Sequence, residues 1–258
     1  MERNLQRLVN FAGSLFRNLP VQVIVEAGAR DCRETLGFRS SFPQARIVTF
    51  ECNPRTLPQC RDVIAGMRDA MLIEKAVSDH AGTVRFHPVE AAHSAAGEAY
   101  ANPGASSLFR ANGRFALEHY QQTSIWVEAI TLAEVMNAHE LPAIDLLWMD
   151  IQGAELLALK GLGNRLADVR LIHCEVEFEQ IYAGQPLFPE IARFLIKRGF
   201  AFVGFTVYSK HSADAVFVNR RHFSRLAIAL AAWQNRLLLW KRLQWMRHRA
   251  KRSLLGRV

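Results

Sequence analysis

Asp150 ends an apolar run, Leu146-Leu147-Trp148-Met149, and is followed by Ile151-Gln152-Gly153-Ala154-Glu155. The run reads as a strand buried on both faces. Gly153 reads as the turn, and Glu155 as the first-turn acid of a helix whose dipole it complements. A carboxylate at the carboxyl end of such a strand lies where open α/β sheets bind their ligands. There it can take the proton of a hydroxyl. The arrangement recurs twice nearer the N-terminus. Val21 to Val25 runs into Glu26-Ala27-Gly28-Ala29-Arg30-Asp31-Cys32, and Ile47 to Phe50 into Glu51-Cys52-Asn53-Pro54. Three strand ends, each carrying an acid, imply one polar crevice.

Each acid has its own expected chemistry. Gly28 permits a tight turn and close backbone approach to a ligand, while Glu26 can accept a hydrogen bond from a hydroxyl or an ammonium group. A single glycine is not the triple-glycine dinucleotide fingerprint, so this stretch also fits a plain strand-to-helix turn. Glu51 closes the second strand, 25 residues after Glu26, and is placed to hold two ribose hydroxyls; a surface carboxylate is the alternative. Asp150 is the first candidate base. His173, Glu175 and Glu177 follow on the next strand, where alternate residues share a face. His173 also fits a satisfied core histidine. No metal-ligand spacing is evident, and no metal is expected.

The elements that must position these residues alternate. Residues 2–18 have helical apolar spacing, and Pro20 stops that helix. The expected order is strand 21–27, helix 32–41, strand 46–51, helix 55–67, strand 71–77 and a short strand 83–89. Residues 90–123 have no clear period and read as a polar insertion, a long loop of functional or mobile kind. Strand 125–130, helix 131–139, strand 144–150, helix 153–162 and strand 170–176 follow. Helix 186–198 and a hairpin, 200–208 with 214–219, complete the body. Such alternation implies a Rossmann-like, doubly wound α/β fold: a mostly parallel sheet with one antiparallel strand near its edge, and helical N- and C-terminal extensions. The expected division is an N-terminal helix over 1–20, a domain over 21–223 and a basic helical tail over 224–258.

Composition narrows the class. With 258 residues, half of them hydrophobic, the chain can bury one large core. Its four cysteines, at 32, 52, 60 and 174, read as reduced buried thiols of a cytoplasmic protein. Met1-Glu2-Arg3-Asn4 opens a mixed amphipathic stretch, so no secretory leader is expected at this end. The longest apolar run, Leu226 to Trp233, has eight residues, and a membrane span needs about 20. The net charge is +8, yet nine Lys and Arg and no acid fall between Arg225 and Val258, which leaves −1 for residues 1–224. Specific nucleic-acid binding by the body therefore loses its main support. In the tail, Leu226, Leu230, Trp233, Leu237 and Trp240 form one helical stripe. The stripe is expected to pack on the domain, with a dimer contact and a peripheral contact with anionic lipid at the inner membrane face as alternatives.

The motifs together resemble the FkbM-type methyltransferase family. DLLWMDIQGAELLALKG is similar to its pattern L-L-K-I-D-x-E-G-x-E-x-x-x-L-x-G, VIVEAGARDC to its first motif and FECNP to its F-E-P-x-P. KAVSDHAG, the Gly104-Ala105-Ser106-Ser107-Leu108 segment and Thr131-Leu132 resemble further family segments in the same order. The resemblance implies S-adenosyl-L-methionine as methyl donor and O-methylation of a sugar, glycolipid or secondary metabolite. It implies that Glu26 and Gly28 approach the methionine end of the cofactor, that Glu51 holds the ribose, that Ala76, Val77 and Ser78 border the adenine, and that Ala29, Cys52 and Asn53 belong to the cofactor site. Ser107 and Gln152 join the cofactor site, and Asp150 stands near the sulfonium and the reacting hydroxyl. Trp148 replaces the family's usual Lys, Gln152 its usual Glu, and Cys32 a small residue. The missing carboxylate keeps open a catalytically silent module of the same fold, and an NAD-type oxidoreductase is the more distant alternative.

Overall fold

The computed structural model describes residues 3–17, 19–235 and 237. Helix α1 (Arg3–Phe16) leads to strand β1 (Val23–Ala27), then α2 (Arg33–Ser41), β2 (Arg46–Phe50), α3 (Leu57–Ala65) and β3 (Ala70–Ile73). Six short strands come next: β4 (Ala76–Val77), β5 (Gly82–Phe86), β6 (Val89–Ser94), β7 (Ala99–Tyr100), β8 (Glu118–Gln122) and β9 (Ile125–Ile130). Alternation resumes with α4 (Leu132–Ala138), β10 (Ile144–Met149), α5 (Glu155–Gly161), β11 (Val169–Glu177) and α6 (Phe188–Lys197). The hairpin β12 (Phe200–Tyr208) and β13 (Ser212–Asn219) is followed by α7 (Arg225–Gln234).

The central sheet has seven strands in the order β12-β13-β11-β10-β1-β2-β3. β1 pairs in parallel with β2 and β10, and β10 with β11. β13 runs antiparallel to both of its neighbours, one place in from the edge. This is the Rossmann-like arrangement expected from the alternation. One face of the sheet packs against α4, α5 and α6 through residues such as Val135, Leu159 and Leu195. The other packs against α1, α2 and α7 through Leu8, Phe11, Phe38 and Ile228. The strand β10 is buried along its whole length, which explains its unbroken apolar run.

Two expectations need correction. The strand anticipated over 71–77 is two strands: β3 belongs to the central sheet, whereas β4 pairs with β9 in a second sheet, β4-β9-β5. A tight turn from the Lys75 amide to the Ile73 carbonyl divides them. The stretch 90–123, expected as a loop, contributes to a small antiparallel sheet, β7-β6-β8. Its own core is little more than Val89, Ala92 and Ala105 with Tyr120 against them, so no apolar alternation marks it.

The tail corrects a third. Helix α7 packs inward through Ile228, Ala231 and Ala232, while Leu226, Leu230 and Trp233 face outward, exposed by 69%, 36% and 73%. The stripe therefore does not pack on the domain, although Leu237 is buried. Trp240 and the basic residues from Lys241 onward lie outside the described residues.

Candidate active site

The two acids of β10 show how strand polarity sorts function. Asp145 stands at the amino end, buried, accepting from the backbone amides of Gln22 and Val23 at 2.7 and 2.9 Å and from Arg170 at 2.6 Å. It ties β10 to the start of β1 and to β11. Asp150 follows the carboxyl end and is exposed. Its amide donates to the Ala27 carbonyl at 3.0 Å, locking it beside the β1 turn. Gly28 makes that approach feasible: its φ is +89°, and a Cβ there would stand 2.0 Å from the Asp150 carbonyl oxygen.

Glu51 ends β2 as the acceptor for three backbone amides, Arg30 at 2.8 Å, Cys52 at 2.8 Å and Asn53 at 2.7 Å. Burial pushes its carboxyl up, and these donors oppose that by favouring the charged form. Thr56 adds a side-chain hydrogen bond to the same carboxyl, so the protein's own donors hold it in place at the strand end.

Gln152 joins the remaining acids. It adopts a left-handed backbone, φ +53°. Its Nε2 donates to Asp150 Oδ1 at 2.8 Å and to Glu175 Oε2 at 2.5 Å. The Tyr182 hydroxyl lies 2.9 Å from Gln152 Oε1, and Ser107 Oγ donates to the Gln152 carbonyl at 2.6 Å. One amide thus holds two carboxyl groups together. Burial pushes the Glu175 carboxyl well above the usual range, and the neighbouring Asp150 charge adds to this. Deeper in the same turn, the buried Glu155 accepts from the Ile151 amide at 3.0 Å. Burial, then the nearby Glu177 charge, raises Glu155 as well.

Two cavities meet at these strand ends. The first, about 550 Å³, runs past Glu51, Cys52, Asn53, Ala76, Val77 and Ser107. The second, about 770 Å³, is lined by Asn4, Asn102, Tyr120, Trp148, Gln152 and Glu175. Gly28, Arg30, Gly104 and Asp150 border both.

A family model described as the methyltransferase FkbM domain matches residues 26–202. The chain belongs to the FkbM-domain methyltransferase family. It is 31% identical over 170 residues to the 2-O-methyltransferase NoeI of Sinorhizobium fredii, covering 64% of this chain and 68% of that protein. Among solved structures, it is similar to a precorrin-6y C5,15-methyltransferase from Geobacter metallireducens, with TM-score 0.43 and 15% identity over 82% of this chain and 86% of that one. The TrmK protein of M. capricolum aligns with TM-score 0.43 and 10% identity, over 84% and 72% of the two chains.

Within this FkbM domain, five residues singled out from the sequence line neither cavity; one of them, Glu177, is buried at the end of β11. Glu26 is fully buried on β1, where Thr35 and Thr49 donate to its Oε2, and burial pushes its carboxyl up to about 8. Ala29 is buried in a small cluster with Cys32 and Cys60. Ser78 is buried, and its carbonyl backs onto Gly161 of α5, where a Cβ would come within 2.2 Å. His173 stacks on Trp148 at 4.0 Å between ring centroids and meets Thr206 Oγ1 through Nε2 at 2.8 Å. Burial pushes its imidazole down to about 3. Arg30, Asn102, Tyr120 and Tyr182 are additions. Arg30 adjoins the Gly28 turn and Asn102 precedes the Pro103-Gly104 turn, so both carried a local signal; the tyrosines carried none.

Proposed function

We propose that the protein is an S-adenosyl-L-methionine-dependent O-methyltransferase whose acceptor is a hydroxyl of a sugar, glycolipid or secondary metabolite. The observation that carries this reading is the position of Asp150 on the wall common to both cavities. The first cavity suits the cofactor. Gly28 lets the backbone come close at its edge, and Glu51 offers a carboxylate at the end of β2 for the ribose. The second cavity suits the acceptor: amides, a phenol, carboxyl groups and one tryptophan edge match a polyhydroxylated molecule. The 2-O-methyltransferase NoeI supports oxygen as the methylated atom.

Bound S-adenosylmethionine supplies an already activated methyl group. What remains for the protein is positioning, which can contribute on the order of 7–11 kcal/mol, and removal of the hydroxyl proton. Asp150 is the proposed base. Glu175, its carboxyl raised by burial and by Asp150, holds a proton beside it, and Gln152 fixes both. His173, neutral and stacked in the core, is not given this role.

The test is calorimetric titration with S-adenosylhomocysteine and, separately, NAD. Micromolar binding of the first alone is expected. NAD binding with no response to S-adenosylhomocysteine would overturn the cofactor reading. Transfer of labelled methyl to a panel of sugars and glycolipids then identifies the acceptor.

A further inference from the structure

Helix α7 is anchored by one face and bare on the other. Phe223, just before it, packs edge-on against Phe16 of α1 at 5.2 Å, and Asn235, just after it, donates to Ser14 of α1 at 2.9 Å. Between these anchors Leu226, Leu230 and Trp233 project outward at spacings of four and three residues, which places them on one side of the helix. Arg220, Arg221 and Arg225 are exposed where the helix begins. From Arg225 to the end of the chain there are nine Lys and Arg and no acid, against −1 for the rest.

We infer that the outer face of α7, with the arginines exposed where it begins, docks on an anionic lipid surface. Two leucines and a tryptophan fit the boundary between headgroups and acyl chains, and clustered cations fit the phosphates above it. Neither feature suffices alone. A nucleic acid would satisfy the cations and leave the apolar stripe in water. A second copy of the chain would cover the stripe but bring two sets of Arg220, Arg221 and Arg225 together. No described helix is long and apolar enough to cross a membrane, so this contact is peripheral. Helix α1 links it to the second cavity: Asn4 lines that cavity, and Ser14 lies ten residues, about 15 Å, further along the same helix. A protein docked in this way would hold its second cavity near the lipid surface. The inference does not rest on the methyltransfer reading.

The experiment is sedimentation of the full chain with vesicles of phosphatidylcholine containing phosphatidylglycerol, and with phosphatidylcholine alone. Binding is expected to the anionic vesicles only, and it should weaken as salt shortens the Debye length. The triple variant Leu226→Ser, Leu230→Ser, Trp233→Ser should partition at least about tenfold more weakly, with circular dichroism confirming that it stays folded. Equal binding by variant and wild type, or no binding by wild type, would overturn the inference. So would a wild-type dimer that the variant abolishes without any vesicle binding, which would assign the face to a second copy. Retention on RNA but not on vesicles would assign it to nucleic acid.

Discussion

Replacing Gln152 by Glu tests the carboxyl clamp directly. The side chain keeps its shape but exchanges two donated protons for a second carboxylate, placed 2.8 Å from Asp150 and 2.5 Å from the protonated Glu175. Two charges 2.8 Å apart repel by about 6 kcal/mol at an effective dielectric of 20. Asp150 is exposed on its open side, and solvent screening reduces this to about 3 kcal/mol, or about two pK units at 1.36 kcal/mol each. The new carboxyl would therefore titrate well above an unfolded glutamate, near 4.3. The sign follows from proton counting. Above about pH 4.3 the folded state binds more protons than the unfolded state, so stability falls as pH rises until the folded pKa is passed. The variant should lose about 3 kcal/mol relative to wild type between about pH 5 and pH 8, which corresponds to about 6–12 °C in melting temperature for a domain of this size. Calorimetric melting of both proteins across that range measures it. A difference that stays constant with pH would refute the clamp, because it would mean that position 152 is not in electrostatic contact with two ionisable neighbours.

Other expectations follow from the same site. Glu51→Gln should weaken S-adenosylhomocysteine by about 1.5–3 kcal/mol, the range for hydrogen bonds to a charged group; unchanged affinity by titration would place the ribose elsewhere. Asp150→Asn keeps shape and removes the charge, and turnover on an identified acceptor should fall by about 10²–10⁴, whereas near wild-type turnover would transfer the role to Glu175. His173, pushed down to about 3 by burial, binds fewer protons folded than unfolded below about pH 6.5, so it costs stability as pH falls from there towards 3. His173→Gln should flatten that acid slope in urea melts and leave kcat unchanged; a change in the pH profile of kcat would reinstate it at the reacting centre.

The strands and their acidic ends were legible because parallel strands are buried on both faces and read as unbroken apolar runs. What the runs conceal is which face each side chain takes. Glu26 is two residues from Ile24, which packs towards α1 and α2, so Glu26 points under α2 to Thr35 rather than into a cavity. His173 shares parity with Leu171 on that same face. Glu175, two residues further along, has run past the covering helix and reaches the second cavity. Alternation thus separates these residues once the covering helices are known, and the sequence alone does not supply them. Helix α7 shows the opposite difficulty. RLAIALAAWQ is apolar nearly all round, so periodicity could not choose between the leucine-tryptophan stripe and the smaller Ile228, Ala231 and Ala232, which pack closely. The small β7-β6-β8 sheet was hidden because β8 pairs with β6 from a distance in sequence around a minimal core.

The two departures from the family pattern also have a common physical account. The usual Lys and Glu are a cation and an anion; here they are Trp148 and Gln152, so the exchange leaves the net charge of the site unchanged. Trp148 stacks on His173 and meets Phe38 edge-on at 5.7 Å, which a lysine could not do. Gln152 donates where a glutamate would repel. Restoring only the glutamate adds a charge without the lysine that accompanies it in the family. That imbalance is why the single Gln152→Glu variant, conservative in shape, is expected to be costly in this chain.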